Sequence, residues 1–457
     1  MAYALAFFLP ITLAFLLQVL RNWRFGVYLG FLWLLSGDTL RKLIPGQPPS
    51  LILVGDFIFL LTYFSFFAWS IVSRKKIWTP PFTLSLFALV FFVITEVLNP
   101  ALPSFLIGLI GLRNFIWFIP LIFLGHAFFE DWAEAKKILK KFVYIAIPFF
   151  IFALIPILNI SQSPIFLPFE TAHQAHSFTF GNINEVPKIP SFFGSDQRYG
   201  MISMLWFFLG IGLRASLKKI QEKQKLLFLS ILSALGGVIL SGSRSALVLT
   251  VFGILLLFFF SKRTVIKNTV RFFSWQKLFL TMTAIILTLL VLYGLGVAAG
   301  ISGLVGFTHV FNSRIPAFFK EATYLISDAT LFGHGTGTLS QGLEEVGQFG
   351  SALQGAAYKG GETGVKRILF ELGIVGLLLF YFFWAQLLAS MKKLWEKTQE
   401  LKLCEVALAV FVFVTLVLVR FTFVHHQVLG DSAVLASVWF FIGVFFKLTE
   451  RQKEPLR

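Results

Sequence analysis

The sequence predicts an all-α, polytopic membrane protein with about thirteen transmembrane helices and two large loops on the outer face. Of its 457 residues, 57% are hydrophobic and only 13% are charged, and the mean hydropathy is +0.82. A single water-soluble core could not bury this much apolar surface. The apolar residues also fall in runs close to the roughly 17 to 25 residues that a helix needs to cross a bilayer.

The predicted spans follow one another along the whole chain, which we interpret as a single membrane domain, residues 1–457. Their approximate bounds are 2–20, 25–40, 51–73, 82–98, 105–127, 142–160, 200–216, 226–241, 245–261, 278–299, 368–390, 403–423 and 431–447. The second is the weakest, so about twelve spans is the alternative. No charge precedes the first span and no small-residue cleavage site follows it, which favours a span over a signal peptide.

Basic residues mark alternate loops of this topology. They concentrate in residues 21–24, 74–76, 136–141, 214–225, 262–277, 392–402 and 447–457. Because cytoplasmic loops are enriched in Lys and Arg, we expect these segments inside, with the N-terminus outside and the C-terminus in the cytoplasm. The same pattern explains the net charge of +17 without nucleic acid as a partner.

Two long segments, residues 161–199 and 300–367, then lie on the outer side. Prolines interrupt the first segment. The second is glycine-rich around 333–337 and 360–364, and residues 315–326 are predicted to form a short amphipathic helix. A membrane protein whose large loops share one face is expected to carry out its chemistry there.

Four arginines on the outer face are candidate anion ligands. The tetrad Ser-Gly-Ser-Arg ending at Arg244 places a permanent cation where two predicted spans meet. Arg314 lies in the second large loop, Arg367 precedes the next span and Arg113 lies in the fifth. A guanidinium binds phosphate oxygens in a bidentate manner and keeps its charge, which suits a lipid diphosphate. The alternative is that these side chains extend to lipid headgroups or pair with Asp and Glu.

Glu362 and His334 are the main candidates for a catalytic base, because a carboxylate or a neutral imidazole can accept the proton of an attacking hydroxyl. Further candidates on the same face are Asp196, His173, His176, His309, His425 and His426. One adjacent histidine pair is weak evidence for a metal, and the single Cys404 excludes a cysteine metal site. We therefore expect neither a metal nor a cofactor.

The segment Gly-His-Gly-Thr-Gly at residues 333–337 has enough glycine to bind phosphate through backbone N–H groups. No predicted strand precedes it and no Lys-Ser/Thr follows it, so it is not a P-loop. The alternative is a tight turn that returns the loop to the membrane. Asp56, Glu96 and Glu405 fall within or beside spans, which leaves open a proton relay of the kind transporters use.

Three motifs occur in a characteristic order. They are Ser-Gly-Ser-Arg-Ser-Ala-Leu at 241–247, Leu-Phe-Gly-His-Gly-Thr-Gly at 331–337 after a large outer loop, and Phe-Glu-Leu-Gly-Ile-Val-Gly at 370–376 entering a span. This order resembles the bacterial O-antigen ligase and polymerase superfamily of membrane glycosyltransferases, mainly over residues 200–390. Weaker similarity to polymerase-like members extends toward the N-terminus, at residues 39–42, 111–113 and 119–121.

The resemblance implies transfer of a glycan from undecaprenyl diphosphate to an acceptor hydroxyl, outside the bacterial inner membrane and without metal or nucleotide. It maps the two arginines that hold the donor diphosphate onto Arg244 and Arg314. Typical members carry a histidine nine residues before the Glu of a Glu-x-Gly element, and here Glu362 stands in that position before Glu371. Glu362 is thus the expected base, with His334 in reserve, and the change favours polymerase-like chemistry or a divergent acceptor.

We therefore predict an inner-membrane glycosyltransferase that polymerises or ligates a polysaccharide. Its partners would be the lipid-linked glycan, a glycan or lipid acceptor, and the bilayer. One alternative is a flippase for lipid-linked oligosaccharides or another secondary transporter, although such proteins usually contain internal repeats and none stands out here. A second alternative is a membrane assembly protein without catalysis.

Overall fold

The protein is described by a computed structural model over residues 14–44, 51–157, 177–180, 183–187, 189–218, 224–265, 330–339, 363–398, 403–424, 428 and 430–450. Within these residues the chain is helical apart from one short hairpin and the connecting turns. The hairpin pairs two antiparallel strands in the segment predicted as the first large loop.

The helices are α1 (Trp23–Leu43), α2 (Ile52–Val72), α3 (Thr83–Glu96), α4 (Phe105–Ile116), α5 (Leu121–Ala127), α6 (Trp132–Tyr144) and α7 (Ala146–Ile157). The strands β1 (Ser177–Phe180) and β2 (Ile183–Pro187) follow. The remaining helices are α8 (Asp196–Lys218), α9 (Lys225–Leu240), α10 (Arg244–Val265), α11 (Gly364–Lys397), α12 (Cys404–Phe423) and α13 (Ser432–Thr449).

The described part of the chain contains 7 helical segments that are long and apolar enough to cross a membrane. They are Leu53–Val72, Phe105–Ala127, Trp132–Pro156, Asp196–Leu217, Gly364–Lys397, Cys404–Phe423 and Ser432–Thr449. Three shorter apolar helices, Thr83–Glu96, Lys225–Leu240 and Ser245–Phe260, coincide with further predicted spans. A multi-pass helical membrane protein is therefore confirmed, while the count of thirteen stays a prediction because residues 278–299 lie outside the described part.

Several predicted boundaries were wrong. Residues 136–141, predicted as a cytoplasmic loop, lie inside α6, because the four lysines occupy a helix that Asp131 caps by accepting the amide of Glu134. The helices α8 and α11 begin at Asp196 and Gly364, inside the segments predicted as outer loops. In both cases polar residues in the first turn hid the start of the helix.

Ion pairs mark both ends of the bundle. At one end α12 finishes where α8, α10 and α13 begin, and we call this the polar end. At the opposite end His126 closes α5 and lies 2.6 Å from Glu450, which follows α13. Arg24, at the start of α1, pairs there with Glu134 across 3.2 Å. The start of α1, the end of α5 and the end of α13 therefore lie at this opposite end.

Close backbone packing joins α5 to α13. A Cβ atom added at Gly125 would overlap the carbonyl oxygen of Phe440, and one added at Gly443 would overlap that of Ile122. Small residues let two helices approach this closely inside a membrane, where packing replaces the hydrophobic driving force. The most buried spans are α8 and α13, and the polar end is built on their first turns.

We predict that Gly443→Val destabilises the protein by roughly 1–3 kcal/mol, because the added side chain meets backbone atoms that cannot move aside. The check is the thermal unfolding midpoint of the purified protein in detergent. Leu378→Phe is the control, since it adds volume at a side chain that is 65% exposed. An unchanged midpoint for Gly443→Val would contradict the close packing of α5 on α13.

Candidate functional site

Arg198 is held between two carboxylates at the polar end. Its Nη1 donates to Asp38 near the end of α1, and its Nε lies 3.0 Å from Oδ1 of Asp431. Asp431 also caps α13 by accepting the amides of Ala433 and Val434 at 3.1 and 3.2 Å. One arginine therefore connects α1, α8 and α13.

Arg113, predicted to bind a diphosphate, forms a bidentate ion pair with Asp56. Its Nε and Nη2 lie 2.6 and 3.1 Å from the two carboxylate oxygens. Its Nη2 also donates to the hydroxyl of Ser432 at 3.1 Å, the residue after Asp431. A diphosphate could use this edge of Arg113 only if the pair with Asp56 opened.

The tetrad at residues 241–244 forms a tight turn between α9 and α10. Gly242 has a φ of 65°, a value that glycine adopts without strain. The hydroxyl of Ser241 accepts the amide of Ser243 at 3.2 Å. A Cβ atom at Gly200 would press on Ser241 and Ser243, so α8 packs directly against this turn. The start of α10, at Arg244, is thereby fixed against α8.

Arg420, near the end of α12, extends to the first turns of α8 and α10. Its Nε donates to Oγ of Ser245 at 3.1 Å, and its Nη2 donates to Oε1 of Gln197 at 2.6 Å. Arg420 is only 4% exposed. Sequence reasoning did not single out Arg420, Arg198 or Gln197; the available signal was that each lies within three residues of a predicted outer end of a span.

Residues 330–339 dock into a break in α11. Gly373 has a φ of 69° and a ψ of −167°, which interrupts the helix. The amides of Ile374 and Val375 donate to the carbonyls of Thr330 and Leu331 at 3.1 and 3.2 Å. These loop carbonyls therefore accept the hydrogen bonds that carbonyls of the preceding helical turn would accept if α11 were unbroken.

Glu371, in the first part of α11, binds the same loop through its carboxylate. Its carboxylate is fully buried and accepts the amides of Gly337 and Leu339 at 3.1 and 3.0 Å. It also accepts a hydrogen bond from Nε of Arg367 at 3.1 Å, and both side chains are at most 1% exposed. Like Arg113, Arg367 would have to open this ion pair to offer the same edge to a diphosphate.

The helix α4 closes the other side of the loop. The hydroxyl of Thr336 donates to the carbonyl of Gly108 at 3.1 Å. A Cβ atom at Gly111 would overlap the backbone nitrogen of Gly337, so only glycine permits this approach. Loop amides at 334, 337 and 339 already have protein acceptors. This arrangement favours the tight turn over a phosphate-binding loop.

His334 lies on this loop in a half-buried position. Its ring stacks on Phe370 with centroids 4.4 Å apart, and its Nδ1 lies 3.3 Å from the carbonyl oxygen of Phe370. When Nδ1 carries the proton, it donates to this carbonyl and Nε2 is an acceptor. In that tautomer Nε2 is the ring nitrogen that could accept a proton.

The carboxylates considered for a proton relay bond to separate partners. Asp56 accepts from Arg113, Oε2 of Glu96 accepts from Asn99 at 2.7 Å, and Oε2 of Glu405 accepts from Ser216 at 3.0 Å. The described residues thus show no chain of hydrogen bonds that joins the three.

The candidate base Asp196 begins α8 and is buried, whereas the remaining predicted site residues are not described in full. Arg314, Glu362 and the histidines at 173, 176, 309, 425 and 426 fall outside the described residues, and for Arg244 only the backbone is described. Within the described ranges, no group of three or more His, Cys, Asp or Glu side chains could hold a metal ion. The roles of Arg244, Arg314 and Glu362 stay predictions, because the side chains of these residues lie outside the described part of the chain.

We predict that Glu371→Gln loosens the loop, because an amide group cannot accept three hydrogen bonds as the carboxylate does and leaves Arg367 buried without its charge partner. Amide hydrogen exchange at residues 333–339 should become faster, and the unfolding midpoint should fall. Glu130→Gln is the matched control, because its carboxylate is 70% exposed and its ion pair contributes little. Unchanged protection of the amides of Gly337 and Leu339 would contradict this role.

Comparison with known proteins does not assign the chain to a family. No protein-family model matches it, and no curated protein matches it significantly.

Proposed function

We propose that the protein is a membrane glycosyltransferase of the O-antigen ligase or polymerase type. It would move a glycan from undecaprenyl diphosphate to an acceptor hydroxyl on the periplasmic face of a bacterial inner membrane. The sequence motifs and the loop charges support this proposal, with the polar end facing the periplasm and the C-terminus in the cytoplasm. The lipid-linked glycan, the acceptor and the bilayer would be its partners.

The observation that carries the proposal is a group of four arginines at the polar end of the bundle, of which Arg367 and Arg420 are buried. Arg113, Arg198, Arg367 and Arg420 all contact helix ends or loops there. Charged side chains are costly within a membrane protein and usually mark sites of function. Three of them form ion pairs with carboxylates that fix the surrounding helices, so Arg244 at the start of α10 stands in a rigid setting.

In the proposed reaction the acceptor oxygen attacks the anomeric carbon of the donor sugar. The bond from that carbon to the diphosphate oxygen breaks, and the base takes the hydroxyl proton. Arg244 and Arg314 would stabilise the negative charge that develops on the departing undecaprenyl diphosphate. A single displacement inverts the anomeric configuration. Glu362 is the proposed base, and His334 is the second candidate.

The flippase alternative requires parts of the bundle to move against each other. Ion pairs tie α1 to α8 and α2 to α4 at the polar end, and the loop at 330–339 bonds to both α4 and α11. These ties favour a fixed site over a moving one. Movement of the lipid-linked unit across the liposome membrane, without chain growth, would support the alternative instead.

We predict that Arg244→Ala and Arg314→Ala each lower glycan transfer roughly 100- to 1000-fold, as expected when a group that stabilises the leaving charge is lost. The assay reconstitutes the full chain in liposomes with an isolated lipid-linked repeat unit and measures product length. Arg214→Ala is the control, because this exposed arginine contacts Phe228 near the opposite end of α8. Full transfer by both folded variants would exclude the diphosphate clamp.

For the base, Glu362→Gln is expected to abolish turnover while leaving donor binding intact, since the amide cannot accept the proton. His334→Gln is the parallel variant. If Glu362→Gln turns over normally and His334→Gln does not, the histidine is the base. Normal turnover in both variants would remove both candidates.

A further inference from the structure

The loop at residues 330–339 exposes two large apolar side chains, although most of it is covered. Leu331 and Phe332 are 61% and 57% exposed, whereas residues 335–338 are buried. The sequence placed this segment in an outer loop, where water would surround both side chains. An exposed apolar patch of this kind is typical of a surface that contacts a membrane or another apolar partner.

The surface on both sides of this pair is apolar as well. Leu98, which follows α3, is 72% exposed, and Leu378 in α11 is 65% exposed. The ring of Phe332 lies 6.5 Å from the ring of Phe92 in α3. The helix α11 is long and apolar enough to cross a membrane, and α3 is a shorter apolar helix. Leu331 and Phe332 therefore continue the apolar surface of two membrane helices.

The position of the loop along α11 agrees with the boundary of a bilayer. Beyond the break, α11 runs from Ile374, which donates to the loop, to Lys392 and Lys393, which are exposed. The helix rises about 27 Å from Ile374 to Lys392, close to the roughly 30 Å of a hydrocarbon core. With the two lysines among the headgroups of one leaflet, the loop lies at the hydrocarbon boundary of the other.

The backbone of the loop has the internal hydrogen bonds that a place at this depth requires. Hydrocarbon offers no hydrogen-bond partners, so a non-helical peptide segment must find them within the protein. The carbonyls of residues 330 and 331 accept amides of α11, and Asn99 donates to the carbonyls of residues 332 and 333 at 3.4 Å. The amides of residues 334, 337 and 339 donate to the carbonyl of Phe370 and the carboxylate of Glu371. These peptide groups therefore do not depend on water.

We propose that Leu331 and Phe332 insert among the lipid chains of the leaflet at the polar end and anchor the loop in the membrane. The partner of this surface is the bilayer itself. His334, two residues further along and half-buried, is then held near the lipid headgroups. Only the role of His334 as a base rests on the proposed function, and the anchor requires no glycosyl transfer.

Spin labels on the full chain in phosphatidylcholine–phosphatidylglycerol liposomes test the depth of the loop. Cys404 is the single cysteine of the chain and is buried, so Cys404→Ser provides the background. Nitroxides at Leu331→Cys and Phe332→Cys should collide with molecular oxygen, which concentrates in hydrocarbon, and lose collisions with a water-soluble nickel chelate. Leu378→Cys is the lipid reference, and Lys76→Cys, in the exposed segment after α2, is the aqueous reference.

Each pattern of accessibility decides the question. Labels at both positions that behave like the one at Leu378→Cys support the anchor. Labels that behave like the one at Lys76→Cys would place the loop in water and overturn the proposal. Labels shielded from both reagents would show that another segment of this chain covers the pair, which overturns it as well.

Leu331→Glu is a second variant that needs no label. A charge at this position favours water over lipid, so amide hydrogen exchange at residues 333–339 should become roughly 10-fold faster in liposomes. Leu331→Met is the matched apolar control and should keep the protection of the wild type. Because the side chain is 61% exposed, either change removes little packing within the protein. Wild-type protection in the folded Leu331→Glu variant would contradict the anchor.

Depth and glycan transfer are measured separately, so the two hypotheses can fail independently. Labels at lipid depth in a protein that transfers no glycan would keep the anchor and reject the glycosyltransferase. Glycan transfer by a protein whose labels lie in water would keep the enzyme and reject the anchor.

Discussion

The polar end depends on the ion pairs of Arg198 with Asp38 and Asp431. Because an arginine keeps its proton even when it is buried, its charge has to be balanced by other groups. For Arg198 these groups are Asp38, near the end of α1, and Asp431, which caps α13. Asp431 in addition caps α13, and the next residue, Ser432, bonds Arg113. The residues at the start of α13 thus connect helices that are far apart in the sequence.

The arginines divide into two groups with different consequences. Those with carboxylate partners, such as Arg113 and Arg367, stabilise the framework, because removing either charge would leave the other buried alone. Arg420 instead donates hydrogen bonds to the neutral side chains of Ser245 and Gln197, and so joins α12 to α10 and α8.

The sequence could predict the membrane class, because the length of an apolar run is a local quantity. It could also predict that Arg113 matters, but not that Asp56 neutralises it, since the two residues meet only when α2 and α4 pack. In the sequence, Arg420 is only a residue near the end of a predicted span. Its contact with Gln197, 223 positions earlier, depends on the packing of α12 against α8. The break at Gly373 lay within an apolar run, where a glycine alone does not reveal a kink.

The break at Gly373 also constrains the order in which this protein can assemble. Residues 330–339 leave the ribosome before α11, yet their backbone partners are Phe370, Ile374 and Val375. Until α11 has been synthesised, the loop lacks the groups that later satisfy it, including the carboxylate of Glu371. Docking of the loop must therefore follow insertion of α11, which makes completion of the site a late event in biogenesis.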